Sequence, residues 1–397
     1  MANAASSSQS GRFVAIRLMP IMAAVLAGFL IIGLALPVLP LHIENDLGFG
    51  TVVVGLVAGA QFAASLVSRV WAGSFSDKHG AKRGVIVGLI AAAISGLLYL
   101  LSLAFVSVPV ISVAILLIGR GLLGGAESFI ITGGVSWGLA LVDKNHAGKV
   151  IAWVGTAMFA ALAFGGPIGT VLFTSSGFAV IALVTMLLPI IVLLVLRRMP
   201  AVEPHPYRAH SALKTVMGSV WMPGLGAALS SIGYCSILAF SSLLFAEQHW
   251  QPIWLPFTAF GAALIVSRMI AGHLPDKYGG AKVALIFVLV QSAGLVFMSL
   301  ASSALIAAAG AALAGFGYSL VYPGLGVEAV RGTSPENRGL TMGIYTAFLD
   351  LAMAVGSPAL GWVAGERGLS SVFIASAIVV LCAGGIAIKL LYRRSVA

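Results

Sequence analysis

The sequence predicts an all-α membrane protein with twelve transmembrane helices, arranged as two pseudo-symmetric six-helix bundles. Its composition is the first of three observations behind this prediction. Hydrophobic residues make up 60% of the 397 residues and charged residues only 9%, whereas a soluble domain carries about 25% charged residues. Twelve apolar runs and a motif that occurs twice are the other two observations. Most of the protein surface is therefore expected to face lipid.

The apolar runs each have about the 20 residues that a helix needs to cross a bilayer. The predicted spans are 18–41, 52–72, 84–104, 110–134, 150–173, 177–196, 221–244, 253–271, 283–301, 304–327, 340–363 and 370–392. The first run is too long for a secretory signal, and no small-residue cleavage site follows it. It is therefore counted as the first transmembrane helix.

The basic residues predict the orientation of these spans. Lysine and arginine concentrate in the connections on the side of the two termini, including Lys78, Lys82, Arg83, Arg197 and Arg198. The opposite connections hold Arg367 against Glu44, Asp46, Glu247 and Glu366. Because basic loops stay in the cytoplasm, both termini are expected to be cytoplasmic in an inner-membrane protein. The net charge of +10 is explained in this way, and no nucleic-acid partner is expected.

One connection is longer and more polar than the others and divides the chain. Residues 197–217 contain Pro200, Pro204 and Pro206 and follow the sixth span. Long polar connections with several prolines are typical of seams between structural units. The predicted organisation is an N-terminal bundle at 1–196, a cytoplasmic linker at 197–217 and a C-terminal bundle at 218–397.

A polar motif follows the second span and recurs after the eighth. The first copy contains Arg69, Gly73, Asp77, Gly80, Lys82 and Arg83, and the second contains Arg268, Gly272, Asp276, Gly279 and Lys282. Arginine, the two glycines and aspartate are each displaced by 199 positions. Such matched repeats are typical of duplicated transporters, and we interpret these residues as a conformational gate.

Each residue type in the motif has a physical reason. Gly73 and Gly272 would let two helix ends approach closely, and Gly80 and Gly279 would take a backbone conformation that other residues avoid. Asp77 and its repeat would accept hydrogen bonds from a helix N-terminus, whose partial positive charge favours a carboxylate. The lysines and arginines would hold the turn on the cytoplasmic side.

Three charged residues lie well inside predicted spans, where charge is costly and usually functional. Arg120 and Glu127 are seven residues apart and return to one helix face. Asp350 has no basic neighbour on its own helix, and burial of such a carboxyl favours its neutral form. All three are proton-coupling candidates. A static polar brace is the alternative for the first two, and a helix cap or a hydroxyl partner is the alternative for Asp350.

Other polar and aromatic residues are candidates for a substrate cavity. They are Gln61, Tyr234, Ser241, Tyr318 and Tyr322. The tyrosines at 318 and 322 share a helix face because they are four residues apart. A mainly apolar pocket with few polar groups suits amphipathic or lipophilic solutes. Packing against lipid or core remains the alternative for each aromatic residue.

Glycine and proline recur within the fifth and eleventh spans. Gly166 and Pro167 have counterparts in Gly356 and Pro358. Proline removes a backbone hydrogen bond and glycine permits close approach, so these positions predict a hinge or a seal where the two bundles meet. The alternative is the general enrichment of both residues in membrane helices.

The motifs together resemble those of the major facilitator superfamily over essentially the whole chain. The doubled turn resembles its signature loops, and residues 119–126 (GRGLLGGA) are similar to the R-x-x-x-G-x-A motif of proton-coupled members. Residues 37–40 (PVLP) close the first span as in many drug–proton antiporters. Residues 165–169 (GGPIG) resemble the antiporter motif but carry Thr170 after them, which is closer to the arabinose-efflux-like branch. The resemblance implies two bundles around a central cavity, lined by spans 1, 4, 7 and 10, and alternating access.

The leading hypothesis is proton-coupled efflux of a small amphipathic or lipophilic solute by a secondary transporter. Uptake of a small polar solute, such as a sugar or an organic acid, is the alternative. A membrane enzyme or receptor is not expected, because no nucleophile motif, phosphate loop or sensor domain occurs. The expected partners are the solute, protons and the lipid bilayer. The expected protein is a monomer that uses the proton gradient, with no cofactor and no metal site.

Overall fold

The computed structural model describes residues 2–141, 147–199, 213–331 and 338–396, together with positions 201 and 333. Residues 200 and 202–212 of the predicted linker lie outside the described residues. Twelve long helices account for nearly all of the described chain. They are α1 (Ala2–Ala35), α2 (Thr51–His79), α3 (Ala81–Leu103), α4 (Pro109–Leu141), α5 (Ala147–Ser176), α6 (Phe178–Leu196), α7 (Leu213–Glu247), α8 (Leu255–Ala271), α9 (Gly280–Ser299), α10 (Ala304–Arg331), α11 (Arg338–Arg367) and α12 (Leu369–Val396).

These helices confirm the predicted all-α membrane fold. Among the described residues, eleven of them are long and apolar enough to cross a membrane, and α8 is a shorter apolar helix of 17 residues. Short helical segments also occur at Leu39–Leu41, His42–Asp46 and Leu274–Tyr278. Several helices extend beyond their predicted spans. For example, α7 begins at Leu213, within the stretch that the sequence predicts as a connection.

The helix packing repeats from the first six helices to the last six. In the first set, α1 packs on α5, α3 on α4, α2 on α4, and α3 on α6. In the second set, α7 packs on α11, α9 on α10, α8 on α10, and α9 on α12. Each pair in the second set is the first-set pair shifted by six helices. The duplication visible in the motif therefore extends to the packing, while the domain boundaries themselves stay a prediction.

The first copy of the doubled motif differs from the predicted turn. Arg69, Gly73 and Asp77 lie within α2, which continues to His79, so only the last part of the motif forms the connection. The connection turns at Gly80, whose φ is 94°. The second copy turns at Gly279, whose φ is 92°. These left-handed conformations are strained for residues with a Cβ, which confirms the prediction for both glycines.

Helices α5 and α8 pack closely at the end of the bundle opposite the chain termini. Proline at 167 has no backbone N–H, so the carbonyl of Ala163, one turn earlier, loses its usual helical donor. The hydroxyl of Thr258 on α8 donates a hydrogen bond of 3.0 Å to this carbonyl. A Cβ on Gly261 would lie 2.9 Å from the Cβ of Ala163. The proline therefore creates an acceptor that the other half of the protein uses.

Helices α2 and α11 form the matching contact at the same end. A Cβ on Gly59 would lie 2.7 Å from the carbonyl oxygen of Ala354, which is the carbonyl that Pro358 leaves without its helical donor. A Cβ on Gly55 would clash with the backbone of α11 as well. The hydroxyl of Thr51 donates a 2.7 Å hydrogen bond to the carbonyl of Gly361. The two halves are thus sealed at this end.

The end that carries the termini is more open. Gly73 on α2 and Gly343 on α11 have no other atom within 4 Å of the position that a Cβ would occupy. The close helix approach that the sequence predicts at Gly73 is therefore absent from this conformation, because the halves are separated there. The central space between the halves opens toward the termini.

The segment after α1 corrects a further expectation. His42, which follows the end of the first predicted span, is only 2% exposed. Its ring stacks on Phe178 with 4.2 Å between the ring centroids, and its Nδ1 lies 2.6 Å from a carboxylate oxygen of Asp46. A helical segment follows the first span where a loop was expected, and it turns this ring inward.

Candidate functional site

A cavity of about 370 Å³ lies between the two halves. Most of its wall consists of aliphatic and aromatic side chains, with a limited number of polar groups. The polar residues on the wall are Gln61, Arg69, Arg120, Glu127, Tyr234, Arg268, Tyr318, Ser319, Tyr322, Thr346 and Asp350. The cavity therefore brings together all three predicted proton-coupling candidates and four of the five predicted substrate-cavity residues.

An ion pair inside this cavity connects the two halves. The Nη2 and Nε atoms of Arg69 on α2 lie 2.7 Å and 2.8 Å from one carboxylate oxygen of Asp350 on α11. The two side chains are 22% and 5% exposed. Asp350 lacks a cation on its own helix, as the sequence indicates, but it has one from the opposite half. The doubled motif thus supplies its arginine to the cavity as well as its glycine to the turn.

The ion pair continues into a row of hydroxyl groups. Arg69 also donates from Nη2 to the hydroxyl of Ser65, at 3.2 Å. The Ser65 and Ser128 hydroxyls are 3.0 Å apart and are buried between α2 and α4. Charge-assisted bonds of this kind fix the geometry of the groups that they connect. Asp350 is therefore linked through two side chains, those of Arg69 and Ser65, to Ser128, the residue that follows Glu127.

Glu127 and Arg120 face the same cavity, as their spacing predicts, but have different surroundings. The Nε2 of Gln61 donates a 2.8 Å hydrogen bond to Glu127. Arg120 is only 3% exposed, and its Nε and Nη1 atoms have no hydrogen-bond partner among the described residues. Seven residues of helix separate the two by about 10 Å of rise. No hydrogen bond or ion pair joins the two among the described residues, and the alternative of a polar brace between helices stays open because the Gln61–Glu127 bond joins α2 to α4.

Arg268 occupies the place in α8 that Arg69 occupies in α2. Its guanidinium lies 4.6 Å from the centroid of the Phe159 ring on α5, which is a cation–π contact between the two halves. The structure records no ion pair for it among the described residues. The duplicated arginines therefore differ, because one meets a carboxylate and the other meets an aromatic ring.

Aromatic residues of the second half form one wall of the cavity. Tyr234 on α7 stacks on Tyr318 of α10 at 5.0 Å between centroids. Tyr322 lines the cavity one turn further along α10. Ser241 is a correction, since it is fully buried outside the cavity wall and bonds the carbonyl of Ile237 on its own helix at 2.6 Å. A serine in a membrane helix can satisfy itself in this way.

The remaining motif residues lie at the surface near the termini. The ammonium of Lys82 donates to the carbonyl of Met199 at 2.5 Å, just beyond the end of α6. Arg83 and Lys282 are exposed. Among the described residues, no hydrogen bond is recorded for Asp77 or Asp276. The gate role of the motif stays a prediction.

A different carboxylate occupies the helix N-terminus that the sequence assigns to Asp276. Glu328 on α10 accepts a 3.0 Å hydrogen bond from the backbone N–H of Ala281, in the first turn of α9. It also pairs with Arg331 at 3.3 Å. Gly272 lies at the end of α8, where a Cβ would clash with the carbonyl of Arg268 in its own turn. Local chain geometry therefore explains this glycine better than helix–helix contact.

The predicted hinge residues lie at the sealed end. A Cβ on Gly166 would lie 3.2 Å from Phe257 on α8, and a Cβ on Gly356 would clash with Ile232 on α7. Both α5 and α11 stay continuous through Pro167 and Pro358. The Gly166 contact joins the two halves and favours a seal, whereas the Gly356 contact lies within the second half.

Three residues at the contact between the halves were not identified from the sequence. Gly55, Gly59 and Thr258 carry the contact between the halves, yet glycine and threonine are common in membrane helices. One signal was available, because Gly59 and Thr258 differ by the same 199 positions as the motif. Gly59 lies close to the carbonyl of Ala354, whereas Thr258 donates a hydrogen bond to the carbonyl of Ala163. In both cases a proline four residues later leaves the carbonyl without its helical donor.

A cavity with charged groups between two duplicated bundles of apolar helices is typical of membrane transporters. The family profile of the Major Facilitator Superfamily matches residues 21–327 and 251–397. An uncharacterised MFS-type transporter of Salmonella typhimurium is 42% identical over 379 residues, which cover 96% of this chain and 97% of that protein. The chain therefore belongs to the Major Facilitator Superfamily.

Solved structures show the same fold at low identity. A D-xylose–proton symporter has a TM-score of 0.74 and 15% identity, with 94% of this chain and 96% of that chain covered. The human organic anion transporter MFSD10 has a TM-score of 0.66 and 16% identity, with 94% and 98% covered. At these identities the likeness concerns the fold alone.

Proposed function

We propose that this chain is a proton-coupled secondary transporter that exports small amphipathic or lipophilic solutes by alternating access. The ion pair between Arg69 and Asp350 is the observation that carries the proposal. It joins α2 to α11, and a proton on Asp350 would remove one of its two charges. Protonation would then weaken a contact between the halves, which is what coupling a proton to their movement requires.

The lining of the cavity supports the solute class. Its wall is mostly apolar, and stacked tyrosines at 234 and 318 offer a flat surface for an apolar body. A few convergent polar groups on an apolar wall are typical of sites for amphipathic ligands. The similar structures are named for D-xylose and for organic anions, so their names do not select a solute. Uptake of a polar solute is the competing proposal.

The orientation is part of the proposal. The basic residues near the termini favour a cytoplasmic location for both ends of the chain, in the inner membrane of a bacterium. The sealed end would then face outward, and the conformation described above would be open to the cytoplasm. Protons would re-enter through Asp350 or Glu127 as the solute leaves. The proposed protein works as a monomer, with the proton gradient as its energy source and without a cofactor.

Transport into inverted vesicles tests this proposal. The vesicles would contain the purified protein with its cytoplasmic side facing outward. A panel of radiolabelled solutes would be added with and without an imposed pH gradient. We expect gradient-dependent accumulation of an amphipathic solute. Accumulation only in right-side-out vesicles would favour uptake, and the absence of any response to the gradient would contradict proton coupling.

Substitution of Asp350 sharpens the test. Asp350→Asn keeps the shape of the side chain and loses its titration, so gradient-driven accumulation should fall to background while downhill exchange persists. Asp350→Glu retains a titratable group and should keep part of the coupled flux. Full coupled flux in Asp350→Asn would make Asp350 structural and leave Glu127 as the candidate carrier. The effect of Glu127→Gln on gradient-driven accumulation would then decide whether Glu127 carries the proton.

A further inference from the structure

We infer that the cavity binds solutes carrying one negative charge, with their anionic group directed toward Arg120. This inference deepens the proposed function, because it names the charge of the solute that the same site would take. It starts from the charges on the cavity wall. Three arginines but only two carboxyl groups line the cavity among the described residues.

The charges are not evenly compensated. Arg69 and Asp350 form an ion pair and cancel each other. Glu127 accepts a hydrogen bond from the neutral amide of Gln61, and no hydrogen bond or ion pair between it and an arginine is recorded among the described residues. The positive groups at positions 120 and 268 therefore exceed the remaining negative group by one when all are ionised. They exceed it by two when Glu127 carries a proton.

Arg120 is the stronger of these two groups. It is only 3% exposed, and both its Nε and Nη1 lack a hydrogen-bond partner among the described residues. An unpaired guanidinium in a low-dielectric surrounding is unfavourable, and its attraction for an anion is correspondingly strong. It borders both the main cavity and a small pocket lined by Leu36 and Leu39 near the end of α1. The excess positive charge therefore lies toward the sealed end.

Arg268 and the aromatic wall complete the arrangement. The Arg268 guanidinium lies against the face of Phe159, and no hydrogen bond or ion pair is recorded for it among the described residues, so its hydrogen-bonding groups remain available. The stacked Tyr234 and Tyr318 provide a flat apolar surface on the same cavity. An anion with an aromatic or aliphatic body would match both features. A cation would meet an excess of like charge.

Binding of a matched series of probes tests the inference without any gradient. The probes are 4-phenylbutyrate, 4-phenylbutyramide and 4-phenylbutylamine, which share a body and differ in charge, together with acetate. Thermal stabilisation of the detergent-purified protein would be measured for each at equal concentration. We expect 4-phenylbutyrate to bind at least about tenfold more tightly than the amide or the amine, because bonds to charged groups contribute this much. Equal binding of all three aromatic probes would overturn the inference, and so would equal stabilisation by acetate.

Variants locate the anion. Arg120→Gln should remove the preference for 4-phenylbutyrate over its amide, and Arg120→Lys should keep part of it. Arg367→Gln changes an exposed arginine at the outer end and should leave the preference intact. If Arg120→Gln does not fold, Arg268→Gln should still reduce the preference. An unchanged preference in a folded Arg120→Gln protein would contradict the location.

This binding assay fails or succeeds independently of proton coupling. A protein that binds the anion but ignores a pH gradient would contradict only the proposed energy source. A protein that couples solute flux to the gradient without a preference for the anion would contradict only the charge of the solute.

Discussion

At the scale of single residues, the pair of Arg69 and Asp350 explains why two costly charges persist inside a membrane protein. Each charge makes the other tolerable, and together they connect helices from opposite halves. Removing one partner of a buried pair leaves an uncompensated charge, whereas removing both does not. An interacting pair therefore predicts a different effect on stability from the effect of two independent residues.

We expect Arg69→Gln to lower the thermal stability of the purified protein more than the double variant Arg69→Gln/Asp350→Asn does. The difference should be about 1–3 kcal/mol, after allowance for the partial exposure of Arg69. Denaturation in detergent, measured for the two single variants and the double variant, gives the coupling energy. Additive effects of the two substitutions would show that the pair contributes nothing to this conformation.

The residue scale also shows how far the sequence could lead. Arg120, Glu127 and Asp350 stand out because charge is rare in apolar spans, and all three do line the cavity. Helical spacing also placed Tyr318 and Tyr322 on one face, and both line the cavity. The partner of Asp350 could not be predicted, since Arg69 is 281 positions away and belongs to a motif that the sequence assigned to a turn. The prediction of Ser241 as a cavity residue was wrong because spacing alone does not show which hydroxyls bond to their own helix.

At the scale of elements, α5 and α8 show how a helix-breaking residue becomes part of an interface. Pro167 leaves the carbonyl of Ala163 without its helical partner, and Thr258 from the other half supplies the missing donor. The sequence predicted the importance of the proline, because such residues disturb helices. It could not predict the donor, since the nature of this contact depends on how the two halves meet.

Thr258→Val should weaken this contact while preserving the shape of the side chain. Loss of a buried hydrogen bond that leaves its acceptor unpaired costs about 1–3 kcal/mol, so the sealed conformation should become less populated. Distances between spin labels at the sealed ends of α5 and α8 would report the change. Thr174→Val is a matched control, because Thr174 lies on α5 and its recorded hydrogen bond among the described residues is to Val171 on its own helix.

The connection between α2 and α3 carries a second prediction at this scale. We expect Asp77→Asn to impair transport more than Asp276→Asn, since Asp77 is half-buried whereas Asp276 is exposed in this conformation. Neutralising a carboxylate removes its attraction for nearby donors when that end of the protein closes. Initial rates at matched protein levels would compare the two variants. Wild-type rates in both variants would show that the aspartates do not contribute to transport and that only the glycine turns of the motif matter.

At the scale of the whole molecule, the proposed alternating access requires that either end of the duplicated packing can close. In this conformation, glycines on α2 permit the halves to meet at the end opposite the termini, while Gly73 on the same helix faces open space. Rocking of the halves about the central cavity would reverse this arrangement, with Gly73 in contact and Gly59 released. Alternating access therefore predicts opposite responses from two glycines on one helix.

We expect Gly59→Ala to shift the protein away from the conformation described here, because its methyl group would lie 2.7 Å from the carbonyl oxygen of Ala354. Gly73→Ala has room in this conformation and should instead hinder closure of the end near the termini. Both substitutions add the same methyl group and the same helix propensity, so each serves as the control for the other. Accessibility of single cysteines placed at the two ends would measure the populations. A shift in the same direction for both variants would contradict alternating access about this cavity, because a general loss of packing would then explain the result.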